Sequence, residues 1–269
     1  MIPKVIHYCW FGRNPIPAEL QVCIASWERI MPDYEIKLWN EDNYDVNKCA
    51  YMKEAYEAKK WGFVPDYARL DILYTYGGIY LDTDVEVVKR FNDLLELEGF
   101  CGFELDKNED ICNANFGLGF GCIAGQRMIK ILRDNYNNIH FANSDGSLNI
   151  IASPFINTKW LQSYGLKPNN QRQNINGLEV FPSEYFCPMN QYTGKIAVTP
   201  NTYSIHHYSA TWMAPADQER RKLRAKYNYL GGIGSDIVSS LIAYRRHYGL
   251  IGMWKNIFMK LIKKIKNRN

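Results

Sequence analysis

The sequence predicts an α/β fold: one large α/β domain followed by a helical C-terminal extension. Three observations lead there. The chain opens strand–helix–strand, an order that argues a parallel layer. A short apolar run, Ile79-Tyr80-Leu81, follows a helical stretch and a Gly77-Gly78 stop, and ends in Asp82-Thr83-Asp84. Beyond Ala214 the pattern turns helical to the end. A length of 269 residues leaves room for one large domain or two small ones, and the simplest division is 1–213 and 214–269.

Each element follows from local chemistry. Lys4 to Trp10 is a β-branched and aromatic run, expected as a buried first strand that Phe11-Gly12-Arg13-Asn14-Pro15 breaks. Pro17 opens a helix through Met31, with Leu20, Ile24, Trp27 and Met31 on one face. Tyr34 to Trp39 alternates as a second strand. Helices are expected around Tyr51–Trp61 and from Pro65 to Tyr76, where the glycine pair stops the second. Phe100–Glu104 reads as a strand, Asn113–Cys122 as strand or loop, and Gln126–Asn137 and Phe155–Tyr164 as helices. Pro168 to Gly177 reads as a polar connection. Short strands are expected at Leu178–Phe181, Lys195–Val198 and Tyr203–Tyr208, and helices at Ala216–Tyr229, Asp236–Tyr248 and Ile251–Lys266.

Composition narrows the function classes. A 46% hydrophobic and 22% charged chain excludes disordered, collagen-like and disulfide-scaffold proteins. Seven scattered cysteines with no Cys-x-x-Cys pair read as reduced thiols, which predicts a cytoplasmic protein. No apolar run is long enough to span a membrane, and the N-terminus lacks the pattern of a signal peptide. Charge is uneven: Arg220–Asn269 holds thirteen Lys and Arg against the single acid Asp236, so the tail carries +12 and the preceding residues −8. An acidic body argues against nucleic acid as a partner, and a basic tail suits an anionic surface.

The densest cluster of chemistry is Asp66-Tyr67-Ala68-Arg69, followed by Asp82-Thr83-Asp84. Two carboxylates one residue apart at the C-terminal end of an apolar strand can turn together toward a hard cation such as Mg²⁺ or Mn²⁺. Open α/β sheets bind ligands at that end. The bland alternative is a solvated turn. Asp66 and Arg69 lie one helix turn apart, which suits either a surface ion pair or a polar pair facing a ligand.

Beyond these residues the sequence resembles a family. Ile2-Pro3-Lys4-Val5-Ile6-His7-Tyr8-Cys9-Trp10-Phe11-Gly12, Asp66-x-x-Arg69, Gly77-Gly78-Ile79-Tyr80-Leu81-Asp82-x-Asp84 and His206-His207-Tyr208-Ser209-Ala210-Thr211-Trp212 match, in order, the DXD-containing sugar transferases of glycosyltransferase family 32. The resemblance covers roughly residues 1–213. It implies a GT-A-type nucleotide-sugar-binding fold with a single Rossmann-like sheet, a UDP- or GDP-sugar donor, Mn²⁺ or Mg²⁺, and retention of anomeric configuration. It also implies transfer of a hexose to a glycan or lipid-linked glycan acceptor in bacterial surface polysaccharide synthesis. Trp10 resembles the aromatic that stacks on the base, Asp66 the acid that binds donor-sugar hydroxyls, and Arg69 the base at sugar or diphosphate. Asp82 matches the first acid of the motif, at ribose or metal, with Thr83 beside it in the nucleotide set and Asp84 as direct metal ligand. A C-terminal histidine completes the metal shell, His206 in preference to His207, and Trp212 closes over the diphosphate. Asn113 and Asn115 compete for a sugar-side position, with Asn115 taken as the catalytic-site residue. Ser153-Pro154 stands where a Gly-Pro pair is usual. His7 reads as a packed strand residue.

Two other classes are weighed against this one. An aspartyl-nucleophile phosphatase wants Thr or Val four residues after the first Asp, where this chain has Glu86. A non-catalytic carbohydrate-binding module would account for the aromatic content but not for the carboxylate pair. Finally, Ile251, Trp254, Phe258, Leu261 and Ile265 form an apolar stripe with lysines mostly off it. This predicts a basic amphipathic helix lying on an anionic membrane, at the inner face of the plasma membrane. Packing of the stripe on the catalytic domain or a second subunit is the alternative.

Overall fold

The computed structural model describes residues 1–105, 112–211 and 213–266, with side chains of the last helix through Met259. The chain divides into two compact units, residues 1–189 with 196–208, and residues 190–195 with 209–269.

The first unit is built on a mixed sheet with helices on both faces. Its strands are β1 (Val5–Cys9), β2 (Glu35–Trp39), β3 (Gly78–Tyr80), β5 (Gly99–Leu105), β6 (Cys112–Asn115), β7 (Phe120–Cys122), β8 (Gln173–Ile175) and β9 (Leu178–Phe181). They run in the order β2-β1-β3-β7-β5-β9-β8, with β6 pairing on β5. The expected parallel layer is the β2-β1-β3 portion; from β7 onward most pairs are antiparallel. A separate antiparallel pair joins β4 (Val85–Val87) to β10 (Ser204–His206), in the register His206 opposite Val85. This pairing brings two segments that are distant in sequence against each other just after Asp84.

Helix α1 (Ala18–Ile30) covers one face with Leu20, Cys23 and Trp27 inward. The Trp27 indole N–H donates to the carbonyl of Val85 at 2.7 Å, and Ser26 Oγ accepts the Val87 N–H at 2.9 Å, so α1 clamps β4. Burying an aromatic side chain of this kind contributes about 2–3 kcal/mol. On the other face lie α2 (Ala50–Glu57), α3 (Pro65–Tyr76), α4 (Arg127–Asn135) and α5 (Ser153–Gln162), over a core that includes Met52, Leu70, Leu73, Phe120 and Leu132. Helix α3 has the expected limits: Pro65 opens it, and Gly77 (φ 66°) ends it in a conformation that side chains resist. Gly78 is needed for close approach as well, since a Cβ there would sit 2.7 Å from the Val5 carbonyl oxygen.

Three local expectations change. The polar stretch 173–175 is a strand, because Asn176 and Gly177, both with positive φ, make the tight turn of a β8–β9 hairpin. Residues 195–198 contribute a single bridge, Ile196 to Met189, rather than a strand. β4 escapes the sequence pattern because three residues are too few to show a period.

The second unit packs α6 (Pro215–Lys226) against α7 (Gly231–Lys266). Residues 190–195 join it because Arg221 donates to Gln191 at 3.1 Å and the Arg224 guanidinium lies over the Tyr192 ring. Helix α7 starts earlier than expected and is broken at Gly249, where φ is 68° and ψ −177°. Met253 is buried with Ala216 and Tyr244, and Ile257 packs beside them. Ile251 (88% exposed), Trp254 (61%) and Phe258 (64%) face away from this small core. The side chains of Leu261 and Ile265, the rest of the expected stripe, lie outside the described residues. Among the described residues no helix is long and apolar enough to cross a membrane.

Candidate active site

β1 and β3 are neighbouring parallel strands, and the chain leaves their carboxyl ends as Trp10 and as Leu81-Asp82-Thr83-Asp84. The Trp10 indole N–H donates to the Asn14 carbonyl at 2.6 Å, which holds a half-buried ring over the first loop. Gly12 in that loop (φ 96°) leaves no room for a side chain, because a Cβ would lie 2.8 Å from the Trp61 ring. Thr83 is half-buried between the two aspartates.

Asp66 and Arg69 on the first turns of α3 are both buried and paired at 3.2 Å. The same Arg69 nitrogen lies 3.3 Å from Asp82 Oδ1, so one guanidinium joins the helix to the strand end. Tyr80 donates to Asp82 Oδ1 at 3.1 Å and lays its ring beside the guanidinium. Tyr51 donates to Asp66 Oδ2 at 3.4 Å, and Ser153 at the start of α5 hydrogen-bonds the same carboxyl. Burial pushes the Asp66 carboxyl up to about 6 against the pull of Arg69. Burial works against the Arg69 charge, but Asp82 and Asp66 outweigh it and hold the guanidinium protonated. The surface-pair reading of Asp66 and Arg69 therefore does not apply.

The other half of the site comes from the β4–β10 pair. His206 Nε2 lies 3.1 Å from Asp84 Oδ1, while His207 Nε2 turns to Glu86 at 2.9 Å. The structure thus separates two adjacent histidines: His206 is buried at the strand end, and His207 is half-exposed. Burial opposes a charge on His206, yet the carboxylates of Asp84, Asp82 and Glu104 raise its pKa above the ordinary value. Asn115, at the end of β6, donates through Nδ2 to Glu104 at 2.9 Å and accepts the Gly117 N–H on Oδ1 at 2.7 Å. Asn113 is half-buried two residues earlier on β6, opposite Glu104. Trp212 lies outside the described residues. His7 is a packed strand residue, with Nδ1 accepting from the Trp39 indole at 2.9 Å and Nε2 on the Gly77 carbonyl at 3.1 Å.

Sequence reasoning missed Glu104, Gly117, Tyr51, Tyr80 and Tyr208. A lone acid in the otherwise apolar strand 99–105 was a usable signal for Glu104. The tyrosines carried none, because core tyrosines look the same in sequence.

Residues 17–100 match the family described as the glycosyltransferase sugar-binding region containing a DXD motif, which takes in Asp66, Arg69, Asp82 and Asp84. The match takes in about a third of the chain and makes it similar to the DXD-containing glycosyltransferases. The chain is 26% identical over 220 residues to an uncharacterized glycosyltransferase of Acanthamoeba polyphaga mimivirus, covering 79% of this chain and 84% of that one. It is 34% identical over 98 residues to inositol phosphoceramide mannosyltransferase 3 of Schizosaccharomyces pombe, covering 35% of this chain and 27% of the relative. The chain therefore spans about a quarter of that yeast protein's length. Among solved structures it is similar to the PaToxG glycosyltransferase (TM-score 0.45, 19% identity, 60% of this chain and 69% of that one). It is also similar to the galactosyltransferase LgtC (TM-score 0.41, 15% identity, 83% and 95%).

The side chains of Asp84 and His206 fit a divalent cation. A carboxylate and an imidazole already adjoin there, and His206 Nδ1 is a buried atom without a hydrogen-bond partner among the described residues. Asp82 is instead turned to Arg69 and Tyr80, so the described residues hold no ready-made group of three metal-ligating side chains.

Proposed function

We propose that this protein is a metal-dependent, retaining glycosyltransferase of the GT-A type that moves a hexose from a UDP- or GDP-sugar to a glycan acceptor. The observation that carries this reading is one arginine, Arg69, held between two carboxylates beside the Asp84–His206 pair at the carboxyl end of β3. Asp84 and His206 would hold Mn²⁺ or Mg²⁺, which when bound supplies positive charge opposite the leaving diphosphate. Arg69, kept charged by its two partners, offsets the same developing charge from the protein side. Asp66 accepts from donor-sugar hydroxyls, and its bonds to Tyr51, Ser153 and Arg69 fix its direction. Asn115, held by Glu104, is assigned to the sugar side of the site in this reading. Trp10 offers a ring face to the base, and Thr83 stands beside it in the nucleotide set. The acceptor hydroxyl is proposed to attack on the face of the departing diphosphate. The acceptor proton then leaves to a diphosphate oxygen.

The acceptor is proposed to be a glycan, or a lipid-linked glycan, of bacterial surface polysaccharide. Relatives named inositol phosphoceramide mannosyltransferases, by that name, act on a lipid. A membrane location is supported by α7, where Ile251, Trp254 and Phe258 are exposed together on a helix rich in lysine. The enzyme is thus proposed to be cytoplasmic and peripheral at the inner face of the plasma membrane.

The deciding experiment is nucleotide release from a panel of UDP- and GDP-hexoses with and without Mn²⁺. Metal-dependent release from one class supports the reading. A chain that binds a sugar without releasing nucleotide from any donor would be a carbohydrate-binding protein instead.

A further inference from the structure

Glu104 stands out as a buried acid to which neither the motifs nor the family region assign a role. It lies on β5 beyond Gly99-Phe100-Cys101-Gly102-Phe103, an apolar strand that gives a carboxylate no local reason to be there. Burial pushes its carboxyl above the ordinary range. Among the described residues no Lys or Arg forms an ion pair with it; its Oε2 accepts from Asn115 Nδ2 at 2.9 Å and from the Tyr208 hydroxyl at 3.3 Å. A desolvated carboxylate held by neutral donors is an expensive way to tie two strands together, and an apolar or amide side chain would serve packing better.

What the two bonds reach explains the expense. On one side Asn115, held by Glu104, accepts the Gly117 N–H at 2.7 Å, and the Gly117 carbonyl accepts the Asp82 N–H at 2.9 Å. Gly117 also lies directly against the Asp82 carboxylate. On the other side the Tyr208 ring meets the His206 imidazole edge-on, with centroids 4.2 Å apart. Tyr208 is held in a positive-φ conformation (51°) that places it there, and His206 in turn faces Asp84. One carboxylate is therefore the common anchor of the loop that backs Asp82 and of the turn that follows His206.

The geometry points to Glu104 as a positioning residue for the donor site, acting through Asn115 and Gly117 on Asp82 and through Tyr208 on His206. This rests on the reading of Asp84 and His206 as the metal-holding pair. Groups that orient metal ligands in this way commonly change metal affinity about 10–100-fold when removed. A purely architectural Glu104 would change folding stability and leave the affinity of the folded protein alone.

The test is Mn²⁺ binding to the full chain, followed as free Mn²⁺ by electron paramagnetic resonance, with UDP or GDP present and absent. Melting temperatures are measured alongside. Glu104→Gln keeps the shape and removes the charge; Tyr208→Phe removes one hydroxyl and carries the test if the first variant does not fold. We expect Mn²⁺ affinity to fall about 10-fold or more in Glu104→Gln and several-fold in Tyr208→Phe. The double variant should be little worse than Glu104→Gln, because the two changes interrupt one path. Native Mn²⁺ affinity in folded Glu104→Gln, or in Tyr208→Phe, overturns the inference. A native chain that binds no Mn²⁺ under any of these conditions overturns the metal reading of the site, and this inference with it.

Discussion

Gly117 lies so close to Asp82 that a Cβ added to it would fall 1.9 Å from the carboxylate Oδ2 and 3.2 Å from the Arg69 guanidinium. The glycine is therefore the wall against which the first acid of the motif is held, and Arg69 and Tyr80 hold its other oxygen, Oδ1. In Gly117→Ala the carboxylate must swing away, while the backbone has no positive φ to lose. The expected result is a fall of about 100-fold in donor turnover, since misplacing a reacting group by about 1 Å has that effect. The melting temperature should drop by only a few degrees. Near-native turnover in this variant would mean that the carboxylate position is immaterial to the reaction.

The separation of the two histidines gives a second expectation. Asp84→Asn and His206→Ala should each lower metal-dependent turnover by orders of magnitude, as loss of a charged group at a developing diphosphate does. His207→Ala removes only a half-exposed bond to Glu86 and should leave turnover within about twofold, in line with the small worth of exposed pairs. Steady-state rates over a Mn²⁺ series decide it. Equal losses in the two histidine variants would remove the basis for choosing between them.

His7 makes a prediction about acid stability. Burial lowers its pKa from 6.5 to about 4, so between those values the unfolded chain binds a proton that the native chain refuses. Stability attributable to His7 is thus complete above about 6.5 and is lost as the pH falls toward 4, by up to about 3 kcal/mol. Asp66 works in the opposite sense, because its raised pKa of about 6 favours the folded state at low pH and loses that advantage as the pH rises through it. Urea unfolding of the native chain and of His7→Gln at pH 7 and pH 4.5 isolates the first effect. The variant should be less stable at neutral pH, and its stability should fall less on acidification. Parallel pH profiles would exclude the assignment.

The exposed face of α7 supplies the last prediction. Trp254→Ser with Phe258→Ser removes two exposed aromatics and touches none of the core around Met253. Sedimentation with anionic liposomes should fall about 10-fold or more in the double variant, since each burial in the bilayer interface is worth about 1–3 kcal/mol. Raising the salt should weaken binding of the unmodified chain, because its lysines act through a screened field. A chain stopped at Gly249 that binds liposomes as well as the full chain would show that this helix serves the protein's own architecture.

What the sequence by itself determined was local. Pro65 and Gly77 bound α3 because a ring-locked φ starts a helix and a positive φ ends one, and the three-residue spacing of Asp66 and Arg69 then put both side chains on one turn. The apolar triplet before Asp82 and Asp84 placed the two acids at a strand's carboxyl end for the same short-range reason. Tertiary structure decided everything that depends on which distant segments meet. The swing of Arg69 to Asp82, the meeting of His206 with Asp84, and the meeting of Glu104 with Tyr208 across 104 residues follow from strand pairing and register, which no local period encodes. The same holds for α7, where the apolar period announced a stripe, but only packing against Ala216 and Tyr244 decided that Met253 turns inward and Trp254 outward. Helical periodicity is written in the spacing of residues along one segment, whereas the partner that a face meets is set by the rest of the chain closing over it.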